Sequence, residues 1–118
     1  MLKNRFLLPA SFALLPAAVM VLANQDWGAY DTGQTLILRG PLKEVRYEDP
    51  QARVSLDYQG KEWTVVLGPL SRLESRGMTS TDLKPGRPVT LVGHPRKDGT
   101  PELRAERIVL DGRTLELR

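Results

Sequence analysis

The chain has 118 residues, no cysteine and a formal net charge of +3 at pH 7. The absence of cysteine excludes disulfide bridges, thiolate metal sites and a lipid anchor attached through a cysteine. Without Lys3 and Arg5 the 17 basic residues fall by two to 15, against 14 acidic ones. A remainder this close to neutral has no electrostatic reason to bind nucleic acid or an anionic membrane.

The N-terminus carries the pattern of a secretory signal peptide. Two basic residues precede an almost wholly apolar run at positions 6–22, and the small residue Ala23 ends it. This pattern predicts a signal peptide over residues 1–23, cleaved between Ala23 and Asn24 to give a periplasmic or secreted protein with no membrane contact afterwards. A retained membrane anchor is the alternative, although the run is short for a spanning helix and contains two prolines.

Beyond the predicted cleavage site the chain alternates short strand patterns with turn residues. Three strands are predicted first, and Gly40 marks a bend within the first of them. Gln59 and Gly60 separate the second and third strands as a compact hairpin turn. The predicted strands are 35–47, 53–58 and 62–67.

The second half begins with a helix and returns to strands. Pro69 suits the first position of a helix and Gly77 suits its C-terminal cap, so a helix of about two turns is predicted between them. Turns at 84–86, 98–99 and 111–112 then separate the last strands, which are predicted at 89–93, 103–110 and 114–117.

The element order is three strands, a short helix, then two or three strands. This order predicts an all-β domain with one short helix, an OB-fold-like small barrel of five to six strands (β-β-β-α-β-β). A five-stranded open sandwich is the competing architecture. The predicted organisation is a signal peptide at 1–23, an N-terminal extension at 24–34 and the barrel domain at 35–118.

Motifs distributed over almost the whole predicted mature chain carry a resemblance to a known family. The chain resembles a family of small uncharacterised bacterial exported proteins with an OB-like domain of unknown function. The motifs that carry it are Trp27, Tyr30-Asp31, Leu38-Arg39-Gly40, Tyr47 to Gln51, Trp63, Pro69 to Gly77, Leu83 to Gly86, Gly93 to Gly99 and Asp111-Gly112.

The departures from that family concern histidine. The family's N-terminal histidine pair is replaced here by Asn24 and Gln25, and the histidine of its Asn-Pro-His turn is replaced by Gln51. These histidines are the family's evident metal-ligand candidates, because imidazole is a common ligand and thiols are absent. A metal role implied by the resemblance therefore does not carry over, and the sequence predicts no cofactor and no metal site.

His94 is the one histidine of the chain. A single histidine without a second histidine or a cysteine does not form an ordinary transition-metal site. The sequence favours a structural residue at a strand end, packed on Pro95, and leaves a ligand or proton carrier beside Asp98 as the alternative. No nucleophile elbow or placed pair of carboxylates is recognisable, so no enzymatic activity is predicted.

The aromatic pattern bears on nucleic acid. Trp63 shares its phase with Val65 and Leu67, which predicts that it packs in the core. The opposite phase of the second and third strands lacks an aromatic residue and carries two acids, Asp57 and Glu62. OB-folds that bind single strands present aromatic residues there, so no nucleic-acid partner is predicted.

The loops at one side of the predicted barrel are the remaining candidate surface. Loops at 47–51 and 95–101 are expected beside the binding face of an OB-fold. They offer Tyr47, Glu48, Asp49, Arg96, Lys97 and Asp98 as a rim for an unknown envelope protein or glycan, while solvated turn residues are the simpler alternative. The predicted function is a non-enzymatic binding or interaction module. An envelope metal-binding protein and a weak hydrolase using His94 are the alternatives.

Overall fold

A computed structural model describes residues 27–118 of the chain. The predicted signal peptide, its cleavage site and Asn24 and Gln25 lie outside the described residues. Within them, two short 3-10 helices (Trp27–Ala29 and Ser80–Asp82) accompany one α-helix, α1 (Leu70–Ser75). The strands are β1 (Leu36–Pro41), β2 (Glu44–Arg46), β3 (Ala52–Tyr58), β4 (Lys61–Gly68), β5 (Pro88–Pro95), β6 (Glu102–Leu110) and β7 (Arg113–Glu116).

All seven strands belong to one curled sheet. The order across it is β1-β5-β6-β4-β3-β2, and β7 pairs with β6 at the side. β4 and β6 run parallel, whereas the other pairs are antiparallel. With the helix between β4 and β5, the prediction of an all-β, OB-fold-like barrel is confirmed.

The strand predicted at 35–47 is two strands in the structure. β1 pairs with β5, whereas β2 pairs with β3 at the other end of the sheet. Between them the chain bends: the Leu42 N–H donates to the Arg87 carbonyl (2.9 Å) and the Lys43 N–H donates to the Ser55 carbonyl (2.7 Å). The first strand thus spans the opening of the curled sheet, and a straight strand could not reach both neighbours.

The core lies inside the curl. Apolar side chains that alternate along the strands meet α1 and the following loop there, and Leu73 and Met78 are fully buried at that contact. α1 begins at Leu70, because Pro69 keeps an extended backbone as the N-cap, and Gly77 follows the C-cap with a φ of 94°. The helix therefore ends in the left-handed glycine that the sequence predicts.

Both predicted hairpin turns adopt the expected backbone. Gln59 and Gly60 have φ values of 51° and 81°, and Asp111 and Gly112 have 49° and 74°. Two consecutive residues with positive φ are the signature of a type I′ turn, whose twist matches that of the paired strands.

Residues 27–34, called the N-terminal strap below, lie against the sheet. Tyr30 is buried and forms an isolated bridge with Arg96. The Asp31 N–H donates to the Pro95 carbonyl (2.8 Å), and the Lys97 N–H donates to the Ala29 carbonyl (2.9 Å). The part of the predicted extension that the structure describes is therefore packed onto the barrel. Over residues 27–118, no helix is long and apolar enough to cross a membrane.

Candidate binding groove

A groove of about 320 Å³ opens where the strap meets the loop after β5. The start of β4 closes its other side, so three separate parts of the chain contribute to it. Its lining residues are Asp31, Gln34, Leu36, Lys61, Trp63, Pro95, Arg96, Lys97, Gly99 and Thr100. The groove thus combines one indole ring with several hydrogen-bonding and charged side chains.

Trp63 lies at the edge of the core and not within it. It has the inward phase that the sequence predicts, and its neighbours Val65 and Leu67 are fully buried. Trp63 itself is half-buried: it packs against the core and also lines the groove. Because it sits near the start of β4, where the barrel opens, part of its ring stays accessible.

The loop after β5 holds Arg96 beside the groove. Its Nε donates to the Asp98 carboxylate (3.3 Å), its Nη1 lies 3.7 Å from Glu102, and its guanidinium stacks 5.7 Å from the centre of the Tyr30 ring. The Thr100 N–H donates to Asp98 (2.9 Å), and this bond, together with Arg96, lowers the pKa of Asp98. Arg96 is therefore positioned by several partners, while Lys97 remains exposed.

Tyr47 and Asp49 do not line this groove. Tyr47 is half-buried against the core and its hydroxyl donates to the Met78 carbonyl (3.2 Å). Burial raises the pKa of Tyr47, and the carboxylates of Glu74 and Asp82 add to the effect. Asp49 is exposed in the same loop.

The strand register shows how far apart the two predicted loops are. Ala52, just after the first loop, pairs with Gly68 at the end of β4. Glu102, just after the second, pairs with Thr64 near its beginning. The structure thus brings Arg96 and Lys97 to the groove with Trp63, whereas Tyr47 and Asp49 flank the opposite end of that strand. Their role in binding stays a prediction.

His94 is buried on the outward side of β5, next to the strand's end. Its Nδ1 lies 2.6 Å from the Gln34 carbonyl and its Nε2 lies 2.6 Å from Glu106 Oε2. Hydrogen bonding by His94 lowers the pKa of Glu106, which also accepts from Arg118 Nη1 (2.8 Å). His94 therefore joins the strap to β6; its acidic partner is Glu106 and not the predicted Asp98.

Metal ligation has no recognisable site in this part of the chain. Among residues 27–118, no three histidine or acidic side chains are grouped closely enough to hold an ion. Gln51 accepts a hydrogen bond from Arg104 Nη1 (3.2 Å).

The sequence did not predict the contact between Arg104 and Trp27. Arg104 is buried, with its guanidinium 4.6 Å from the centre of the Trp27 ring, and Arg118 lies 4.3 Å from the same ring. The outward phase of β6 marks Arg104 as surface, and nothing local indicates that the strap covers it. The outward faces of β3 and β4 lack an aromatic residue, and the strap places Trp27 over the outward face of β6.

Comparison with known protein families relates the chain to DUF6152, a family of unknown function, which matches residues 13–103. No protein of curated function matches the chain.

Proposed function

The chain belongs to DUF6152, and we propose that it is an exported, non-enzymatic binding module of the cell envelope whose groove takes a segment of a glycan. The observation that carries the proposal is the half-buried indole of Trp63, placed in a groove among polar side chains. The proposal that the protein is exported is supported by the N-terminal sequence pattern, which has basic residues, an apolar run and a small residue at the cleavage position.

The groove has the size and lining of a small-ligand site. Its volume of about 320 Å³ lies at the lower end of the range for ligand pockets, which combine apolar surface with a few placed polar groups. An indole ring offers a flat apolar face to one side of a sugar ring. Asp31, Gln34 and Thr100 supply acceptors and donors around that face, as the hydroxyl groups of a sugar require.

Charge on both sides of the groove adds directional donors. Lys61 lies at the start of β4 and Lys97 lies on the facing loop. Arg96 is held by Asp98 and Glu102, so its guanidinium is fixed before a ligand arrives and its remaining N–H groups are the donors that it offers. Fixed donors lose less conformational entropy on binding than free ones do. A peptide segment of an envelope protein is the other ligand that an indole ring among charged and polar side chains accommodates.

Binding of soluble oligosaccharides to the full chain tests the proposal. An array of envelope and capsular glycans, followed by calorimetric titration with the best ligand, should give binding that Trp63→Ala abolishes. Lys97→Ala should weaken it by about tenfold or more, because a hydrogen bond to a charged group is worth about 1.5–3 kcal/mol.

Two variants serve as matched controls. Lys84→Ala removes an exposed lysine from a turn outside the groove, and Tyr47→Ala removes an aromatic ring at the other end of β4. Lys84→Ala should bind as the unmodified chain does, and Tyr47→Ala should do so if the groove alone takes the glycan. If Tyr47→Ala weakens glycan binding while Trp63→Ala does not, the binding surface lies at the 47–51 loop. Capture of peptides without glycans would replace the proposed ligand class.

A further inference from the structure

We propose that the outward face of β2, β3 and β4 carries a separate site for a small oxyanion, a carboxylate or phosphate group, formed around Arg53 and Ser55. This site shares no residue with the groove that contains Trp63. Trp63 points toward the end of the barrel interior, whereas the neighbouring Thr64 has the opposite phase and lines the outward pocket.

The register aligns arginines across this face. Arg46 pairs with Arg53, Arg53 pairs with Val66, and Val66 pairs with Arg104. Residues directly opposite each other in a sheet project from the same face, so three arginines share one row across four strands. Val66, between Arg53 and Arg104, is 2% exposed and forms the apolar floor of the row.

A pocket of about 90 Å³ lies beside Arg53. Its lining residues are Glu44, Arg46, Arg53, Val54, Ser55 and Thr64. A cavity of about 10–15 Å³ on this measure already holds one water molecule, so the pocket has room for a small group of several non-hydrogen atoms. Carboxylate and phosphate groups are small enough to enter it.

Ser55 gives the pocket a donor without a partner. The residue is 7% exposed, and its Oγ has no hydrogen-bond partner within the described residues. Buried hydroxyl groups are normally paired, because an unpaired one has lost its hydrogen bonds to water without replacement. Ser55 lines the pocket, so an oxyanion bound at the floor of the pocket would accept the hydrogen of this shielded hydroxyl.

The charges around the pocket favour an anion. Arg53 is exposed and forms no ion pair with any residue between 27 and 118, and Arg46 lies 3.9 Å from Glu48. Arg104 is buried, and its Nε also has no hydrogen-bond partner in the described part of the chain. Burial lowers the pKa of Arg104, and the like charges of its neighbours Arg72, Arg118 and Arg53 add to this.

Acidic residues on this face oppose the binding of an anion. Asp57 and Glu62 pair with each other one row beyond Ser55 and Thr64, and both lie within ion-pair distance of Lys43. Glu44 lines the pocket from the edge strand β2, and it is exposed, so water screens its carboxylate. The planar fork of Arg53 matches a carboxylate or phosphate with two parallel hydrogen bonds, and such charge-assisted bonds are about twice as strong as neutral ones.

Titration with inorganic phosphate and with acetate tests this site on the full chain. Backbone amide shifts of the isotope-labelled protein at low salt should move at residues 53–55 and 64, with a saturable dependence on the anion. Arg53→Gln should raise the dissociation constant about tenfold or more, and Ser55→Ala about fivefold, since hydrogen bonds to charged groups contribute more than neutral ones.

Arg39→Gln is the matched control, since Arg39 is an exposed arginine on β1, away from the pocket. It should leave both titrations unchanged, and Arg53→Lys, which keeps the charge but loses the fork, should bind less tightly than the unmodified chain. Saturation by phosphate alone or by acetate alone identifies which oxyanion the site takes. Equal weakening by Arg53→Gln and Arg39→Gln, or no saturable shift at residues 53–55, would overturn the proposal, with thermal unfolding confirming that each variant is folded.

Discussion

Tyr30 shows how the fold changes the chemistry of a single side chain. Its hydroxyl donates to Glu102, and its ring lies under the guanidinium of Arg96. Burial, followed by the hydrogen bond to Glu102, raises the pKa of Tyr30 to about 12. The phenol is a tether between the strap and β6, and it acts only while it keeps its proton.

Ultraviolet titration of the tyrosines measures this directly. The chain has 3 tyrosines, and Tyr30 should ionise at the highest pH. Its folded pKa lies above the ordinary value of 10.0, so its contribution to stability is fully present below pH 10.0 and is lost as the pH rises toward about 12. Tyr30→Phe should remove the last step of the titration, whereas Tyr58→Phe should leave that step in place. A last step that persists in Tyr30→Phe would contradict the assignment.

At the scale of elements, β5 and β6 approach each other too closely for any side chain at Gly93. The register shifts between Val92 and Gly93, and a Cβ atom at Gly93 would overlap the Arg104 carbonyl and lie 2.8 Å from the Ala105 Cα. This close crossing sets His94 and Arg104 opposite each other on the outward face.

Gly93→Ala should therefore lower the free energy of unfolding by about 1–3 kcal/mol or more, because the backbone of β6 must move. Urea unfolding measures the loss. Gly33→Ala is the matched control: the nearest atom to its added Cβ is a side-chain oxygen of Asp31 at 3.3 Å, in an exposed turn. It should change stability by less than about 0.5 kcal/mol. Equal stability of the two variants would show that the crossing relaxes freely.

The short helix α1 depends on tertiary contacts. It spans 6 residues, too few to persist alone in water. Leu73 is its fully buried residue and belongs to the main core cluster. The helix thus covers one end of the barrel through this side chain.

Leu73→Ala should lower the free energy of unfolding by about 2–5 kcal/mol, from lost transfer free energy and the cavity left behind. Ser71→Ala, on the exposed side of the same helix, controls for helix propensity and should be nearly neutral. Urea unfolding measures both variants. The dependence of the unfolding free energy on urea concentration should be the same for both, so that the midpoints report stability alone. A loss below about 1 kcal/mol for Leu73→Ala would mean that the barrel closes without the helix.

At the scale of the whole molecule, the strap links the barrel to the predicted cleavage site. Its contacts with β5 and β6 begin at Trp27, three residues after Asn24 along the chain. Cleavage between Ala23 and Asn24 would leave every described contact of the strap within the mature protein.

Intact mass of the protein recovered from the cell envelope tests processing. The expected product begins at Asn24 and is found in the soluble envelope fraction. Ala23→Arg should block cleavage, because the position preceding the cut requires a small residue. Recovery of the unmodified chain in the membrane pellet with residues 1–23 attached would mean a retained anchor.

Local features were predictable because their causes lie within a few residues. The type I′ turns at Gln59-Gly60 and Asp111-Gly112 follow from residues that tolerate positive φ. The helix between Pro69 and Gly77 and the strand alternation of β3 and β4 are equally local. The barrel order followed from the sequence of these elements along the chain.

The candidate sites were predictable only in part. Arg96 and Lys97 were identified as surface residues of the right loop, and the structure adds Trp63 and the strap to them. The pairing of His94 with Glu106 and the stacking of Arg104 on Trp27 join residues whose sequence patterns give no sign of each other. Such contacts depend on the register of β5 on β6 and on the path of the strap.

The sequence by itself determined where most strands, the turns and the helix lie, because backbone preferences and apolar alternation act over a few residues. The division of residues 35–47 into β1 and β2 depends instead on their pairing with β5 and β3. Only the tertiary structure decided which loop shares a groove with Trp63, since the register of β4 with β3 and β6 separates the two candidate loops. It also decided that Ser55 and Val66, outward by their phase, are buried. Strand alternation specifies which face a side chain takes, whereas the neighbouring strands, their side chains and the covering segments determine whether that face meets water.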